Sequence, residues 1–351
     1  MDRLGYTRTE PASMRTLWMR IRTMTLHAGL IAFATGLLAS TFLMIQADDS
    51  GNVETSTAER DTHQYIRIER NERRLATDLQ TSVIRFAGSE QYPGKIVDLI
   101  GAVHLGESSY YKELNRRFTE YDVLLYEAVI PEKALRQGLR PASQGTGRKL
   151  SDDEAWTQSK VGLAAISALQ LGMKDVLGLE FQLAAVDYSP GNFVHADMTQ
   201  EEMEQSMERR GESFSEMLAR EMAKAAIQQQ QRNPIALNLD LVLSVLASDR
   251  QYRVRRIAAV EMVRASTGDV FASSDGTSTI ITERNIKALK VLRRELSRSG
   301  NKKLGLFYGA GHFADMERRM VAEFGFERIS EDWLTAWKLR PARTRQLRRP
   351  R

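Results

Sequence analysis

One pattern constrains the fold more than any other, and it occurs twice. An apolar run ends in Gly-x-x-His and passes directly into a polar, helix-favouring stretch. The first copy is Ile96-Val97-Asp98-Leu99-Ile100 followed by Gly101-Ala102-Val103-His104, and the second is Lys303 to Tyr308 followed by Gly309-Ala310-Gly311-His312. Short apolar runs rich in branched and aromatic residues and bounded by glycine read as buried strands. A third such run, Tyr121 to Ile130, carries Glu127 towards its end and is closed by Pro131. Strands alternating with helices predict an α/β fold, a central mixed β-sheet flanked by helices. In such sheets ligands gather where strands end and loops begin. Glycine at those places lets the backbone turn sharply and brings an imidazole close to a bound group.

The remaining elements follow from local pattern. Leu79 to Phe86 and Lys95 to Val103 flank a turn region, Gly88 to Gly94, that contains Pro93, which predicts a hairpin. Ser108 to Glu120 is expected to be helical, residues 136–151 a loop, and Glu154 to Leu183 a helix broken near Gly172 or Gly178. Asn192 to His195 reads as a short strand leading into a helix, where Thr199 and Glu202 are spaced as a capping box. From Thr199 to about Ala265 the pattern is helical, broken near Asn233-Pro234, and reads as a helical insertion over the site. Met203, Met207, Phe214, Met217, Met222 and Ala226 recur there at helical spacing, as core packing requires. Ile280 to Leu296 adds a helix, and a short last strand is expected near Phe326 to Ile329.

The amino terminus carries an address. Arg15, Arg20 and Arg22 precede a mostly apolar run, Leu26 to Ile45, of about 20 residues, the length and flank of an export signal or a membrane-spanning helix. Ile45 and Ala47 would permit cleavage before Asp48, and the basic flank predicts that the body lies outside the cytoplasm. The chain thus divides into a signal or anchor (1–47), a polar tether (48–63), an α/β domain (64–337) and a basic, disordered tail (338–351). Seven Lys or Arg and no acid lie in the tail, while the body from 48 to 337 carries a net charge of −5. Basic ends on an acidic body do not suit a nucleic-acid-binding fold.

The chain has no cysteine, so any transition-metal site must use imidazole and carboxylate. Two imidazoles, His104 and His312, and one carboxylate, Glu127, converging from strand ends would suit a divalent metal with open positions. Such an ion would acidify a bound water for attack on a carbonyl. His195 and Asp197 in the FVHAD stretch are candidates for an additional role, with a structural one favoured; Tyr126 suits a hydrogen bond or the core equally. His27 and His63 lie in the leader and beside the tether, away from this chemistry. A dinucleotide fingerprint, Gly309-x-Gly311-x-x-Ala314 with Glu331 about 20 residues on, is set aside because only about 40 residues follow Gly309. It would also leave His104 and Glu127 unexplained.

The segments GAVHLGESSYYKEL, YDVLLYEAV, ITERN and FYGAGHFADME resemble, in this order, the signature blocks of the TraB/GumN family, related to the TIKI metalloproteases. The resemblance spans roughly Leu79 to Trp337. It implies an active centre of two Gly-x-x-His motifs, a strand-end glutamate and an arginine, which here are His104, His312, Glu127 and Arg284. The metal, for which Mn, Co or Zn is suitable, would be held by His104, Glu127 and His312, or one of them, Glu127 first, would act as general base on its water. Arg284 would stabilise an oxyanion or anchor a substrate carboxylate, and Asn285 would support the same site. The expected activity is a metal-dependent, peptidase-like hydrolase at the cell envelope, acting on a peptide or a small amide or ester. Two rivals stand beside it: a non-catalytic peptide-, haem- or metal-binding protein, and a metal-free, esterase-like hydrolase in which a histidine and Glu127 activate water directly.

Overall fold

The computed structural model describes residues 64–141, 176–213, 216, 249–267 and 276–341. Nine strands fall within them: β1 (Ile66–Arg70), β2 (Ala76–Ala87), β3 (Ile96–Ala102), β4 (Leu105–Gly106), β5 (Val123–Tyr126), β6 (Glu180–Phe181), β7 (Phe193–His195), β8 (Lys303–Gly309) and β9 (Glu327–Lys338). Seven of these make one mixed sheet in the order β1-β2-β3-β8-β5-β7, with β9 also paired to β2. β1, β3 and β9 run antiparallel to β2, whereas β3, β8, β5 and β7 run parallel to one another. The expected α/β class and the β2–β3 hairpin are both present.

The parallel part explains the near-continuous apolar runs of the sequence. β3 and β8 are buried along almost their whole length, as strands covered on both faces must be. Helices α1 (Ser108–Phe118), α2 (Glu132–Arg136), α3 (Gln182–Ala185), α4 (Gln200–Arg210), α5 (Arg250–Thr267), α6 (Arg284–Leu296) and α7 (Phe313–Phe324) surround the sheet. Their apolar faces, with Tyr111, Leu114 and Phe118 from α1 and Leu289 and Leu292 from α6, join the sheet in one core. The capping box at the start of α4 forms as expected, with Thr199 Oγ1 accepting from Glu202 N and Glu202 Oε2 accepting from Thr199 N. Met203 and Met207 of the methionine stripe are buried; Phe214, Met217, Met222 and Ala226 lie outside the described residues.

Four elements differ from the sequence reading. The helix that starts after Thr199 stops at Arg210, where Gly211 takes the left-handed conformation at φ 62°, well before the break expected near Asn233-Pro234. Glu180–Phe181, expected within a helix, is the strand β6, paired with β4. The last strand runs over twelve residues rather than four, because β9 pairs with β2 from Glu327 to Lys338. Its outer half exposes Glu327, Glu331 and Asp332, so the alternation that marks a half-buried strand is missing there. The helix expected from Ile280 begins with a π-helical turn, Thr279–Glu283, before α6 proper. Leu339, just past β9, is fully buried and its N–H bonds Thr77 O, so the domain extends past Trp337. Among the described residues no helix is long and apolar enough to cross a membrane. Leu26 to Ile45, most of Glu154 to Leu183, and the helical insertion between 217 and 248 lie outside them.

Candidate functional site

Register brings the candidate residues together. Gly101 lies opposite Tyr308 and Ala102 opposite Gly309, so the two Gly-x-x-His turns leave neighbouring parallel strands at almost the same level. Tyr126 pairs with Phe307 on one side and His195 on the other, which puts Glu127 and Asp197 just beyond the same edge. This is the carboxyl edge of the parallel strands, where open α/β sheets hold ligands.

His312 closes a 3-10 turn (Ala310–His312) between β8 and α7 and is 5% exposed. Its Nε2 lies 3.6 Å from Glu127 Oε1 and 3.5 Å from Arg284 Nη1, and its Nδ1 lies 2.7 Å from Asn285 Oδ1. Arg284 opens α6 immediately after the π-turn and points inward. Its Nη2 donates to Glu127 Oε1 at 2.6 Å and to Asp197 Oδ2 at 2.6 Å, and its Nε donates to Asp197 Oδ1 at 2.9 Å. Glu283, the residue before Arg284, faces Arg210, at 3.8 Å. The second oxygen of Glu127, Oε2, accepts from Gly309 N at 2.6 Å. A Cβ on Gly309 would stand 3.3 Å from that oxygen, so glycine is what lets carboxylate and backbone approach so closely.

Electrostatics follow from this packing. Burial alone would raise the Glu127 pKa, but the adjoining Arg284 guanidinium, the nearby imidazoles and the Gly309 N–H outweigh it and hold the carboxyl at about 2. His312 is pushed down to about 4, first by burial and then by Arg284, against the pull of Glu127. At neutral pH Glu127 is therefore a carboxylate and His312 a neutral imidazole, which keeps one N–H. Two carboxylates, Glu127 and Asp197, then face one guanidinium, and the buried cluster carries one negative charge in excess.

His104 stands apart from this cluster. It sits exposed on the bend between β3 and β4, and its charge bears on both Glu127 and His312. The bend itself is pinned: His104 O accepts from Gln182 N, Val103 O from the Tyr111 hydroxyl, and Gly101 O from the Tyr110 hydroxyl. Among the described residues no three His, Asp or Glu side chains converge as a metal-holding group. The pair that is in place does fit an ion. Donors 3.6 Å apart can occupy neighbouring positions around an ion at about 2.1 Å.

Asp197 is the member that the sequence undervalued. It is fully buried, clamps Arg284 through both oxygens and accepts from Met198 N. Only its place after a short strand, matching Glu127 after β5, signalled this. His195 keeps the structural part expected of it, its Nε2 lying 2.7 Å from Ala128 O. Tyr126 is buried against Tyr188, Phe193 and His195 as an aromatic core residue. Asn285 is fully buried against His312 and Asp315. No family model matches the sequence, and no curated protein and no solved structure matches it either.

Proposed function

We propose that this chain is a metal-dependent hydrolase of the TraB/GumN type, cleaving an amide or ester bond in a peptide or small molecule. The observation that carries this reading is the Glu127–His312 pair: a largely buried carboxylate and a neutral imidazole, 3.6 Å apart. A general base works best with a pKa near the operating pH, and groups held at about 2 and about 4 lie well below it. The same low pKa values favour a metal, because the ion does not have to displace protons from its ligands. The excess negative charge of the cluster favours a cation in the same way.

In this reading His312, Glu127 and, from the exposed bend, His104 would hold a divalent ion. Such an ion supplies an acidified water as nucleophile. Arg284 acts on the other partner. Its Nε and Nη2 are engaged by Asp197 and Glu127, while Nη1 has only long contacts, 3.5 Å to Ile280 O and 3.5 Å to His312 Nε2. Nη1 is thus the donor left for the carbonyl oxygen, and a hydrogen bond there strengthens as that oxygen gains charge. The charged surroundings of His312 argue against haem ligation, which calls for a broad apolar pocket. The segment Leu26 to Ile45 would export or anchor the domain, so the reaction would take place at the cell envelope.

The test is metal content, by mass spectrometry, of the purified full-length protein beside His104→Ala and His312→Ala. About one equivalent of a divalent metal in the parent, lost in both variants, is the expected result. A folded parent that stays metal-free after reconstitution overturns the metal reading. Hydrolysis insensitive to chelators would then assign water activation to His312 and Glu127 themselves, and no hydrolysis at all would leave a binding protein.

A further inference from the structure

We propose that Asn285 is a positioning residue that fixes His312 in its Nδ1–H tautomer and so makes Nε2 the nitrogen that works. Its importance for catalysis rests on the hydrolase reading above; the tautomer itself does not.

The argument is one of donors and acceptors. Asn285 Nδ2 lies 3.1 Å from His312 O and 3.0 Å from Asp315 Oδ2, both of them acceptors, the Asp315 carboxylate also accepting from Arg318 and Arg319. Exchanging the amide's nitrogen and oxygen would set an acceptor against two acceptors in a fully buried place, so the amide has one orientation. Its Oδ1 then faces His312 Nδ1 at 2.7 Å, and that nitrogen must carry the proton. The other side of the ring demands the same state. Arg284 Nη1, which can only donate, lies 3.5 Å from Nε2, so a proton on Nε2 would face another donor. Glu127 Oε1, at 3.6 Å, is too far to make a hydrogen bond that reverses this preference.

The lock is itself held from outside. Asp315 Oδ2 also accepts from Arg319 Nε at 2.9 Å, and Asp315 Oδ1 is paired with Arg318. A chain of contacts thus runs from surface arginines through Asp315 and Asn285 to the buried imidazole. Outer partners of this kind set the ring orientation and tautomer of metal-binding histidines.

Solid-state NMR on full-length protein with histidine-selective 15N and 13C labelling reads the tautomer directly. Only five histidines contribute, and His312→Asn identifies the signal of interest by its loss. The expected wild-type result at neutral pH is Nδ1–H for His312. The double variant Asn285→Asp with Asp315→Asn keeps an acceptor at Nδ1, sets an amide donor against the second carboxylate oxygen and retains that tautomer, whereas Asn285→Leu removes the acceptor and lets the ring shift towards Nε2–H. Zinc affinity should fall by about 10- to 100-fold in the Leu variant and stay nearer wild type in the double variant. Wild-type His312 in the Nε2–H form, or an unchanged Nδ1–H signal in Asn285→Leu, overturns the proposal. If Asn285→Leu does not fold, the wild-type and double-variant spectra decide alone. A protein that binds no zinc yet has Nδ1–H on His312 refutes the metallohydrolase and leaves the lock standing.

Discussion

Replacing Arg284 by Met tests whether the buried cluster is electrostatically what its geometry says. The side chain is replaced by one of similar length, but Asp197, with 0% exposure, and Glu127, with 11% side-chain exposure, lose their common cation. Removing one partner from a buried ion pair costs about 3–5 kcal/mol, because the other charge is left uncompensated. The Glu127 shift gives a similar size. A carboxyl held at about 2 rather than 4.5 corresponds to about 3 kcal/mol of stabilisation at neutral pH, with Arg284 the largest favourable contribution. Urea unfolding followed by fluorescence of the four tryptophans measures the loss. The deficit should shrink as pH falls, since the orphaned carboxylates then take up protons. Adding Asp197→Asn to Arg284→Met should recover stability, with a coupling of roughly 1–3 kcal/mol between the two positions. A deficit below about 1 kcal/mol, the worth of an ordinary surface pair, together with an unchanged pH profile, refutes the reasoning.

Acid should weaken the fold in two windows. His312 has a folded pKa of about 4 against 6.5, so stability present above pH 6.5 is lost as pH falls towards 4, by about 3 kcal/mol. Glu127 then adds a loss between 4.5 and about 2. His312→Asn should flatten the upper window only, as read from urea midpoints against pH. Gly309→Ala would place a methyl 3.3 Å from Glu127 Oε2 and 3.8 Å from His312 Cδ2. Zinc affinity or hydrolysis should fall by about tenfold with little change in melting temperature. Gly311→Ala, which meets nothing within 4 Å, should behave as wild type in the same assays. Thr199→Ala removes the capping box of α4 and should cost about 1 kcal/mol, seen as a lower melting temperature.

Much of the fold was legible because apolar strands announce themselves. β3, β5 and β8 are short and buried on both faces, and glycine lies at the ends of β3 and β8, so hydrophobicity located them. β1 and the outer half of β9 were not legible, since charged residues on half-exposed strands obscure the alternation. Among the site residues, the equivalence of the two Gly-x-x-His turns foreshadowed neighbouring strands, and β3 and β8 are neighbours. What spacing could not convey is side-chain depth. His104 and His312 have the same motif, yet one is exposed and the other buried, because only the second is followed directly by a helix packed beneath it. Asp197 was hidden for a related reason: its partner, Arg284, lies 87 positions away, and only the folded sheet brings them together.

The order of strands also sets the order of assembly. β8, the strand between β3 and β5, comes from near the end of the chain, and β9 closes onto β2 later still. A nascent chain that has emerged only as far as residue 300 has a gap in the middle of its sheet, not at its edge. Contacts of such long sequence separation make folding slow and leave β3 and β5 exposed to mispairing meanwhile. The same gap parts the candidate residues: Glu127 stands beside an empty lane until β8 fills it and brings His312. If the pair works as proposed above, a partly made chain has no site, and activity and a completed fold arrive together.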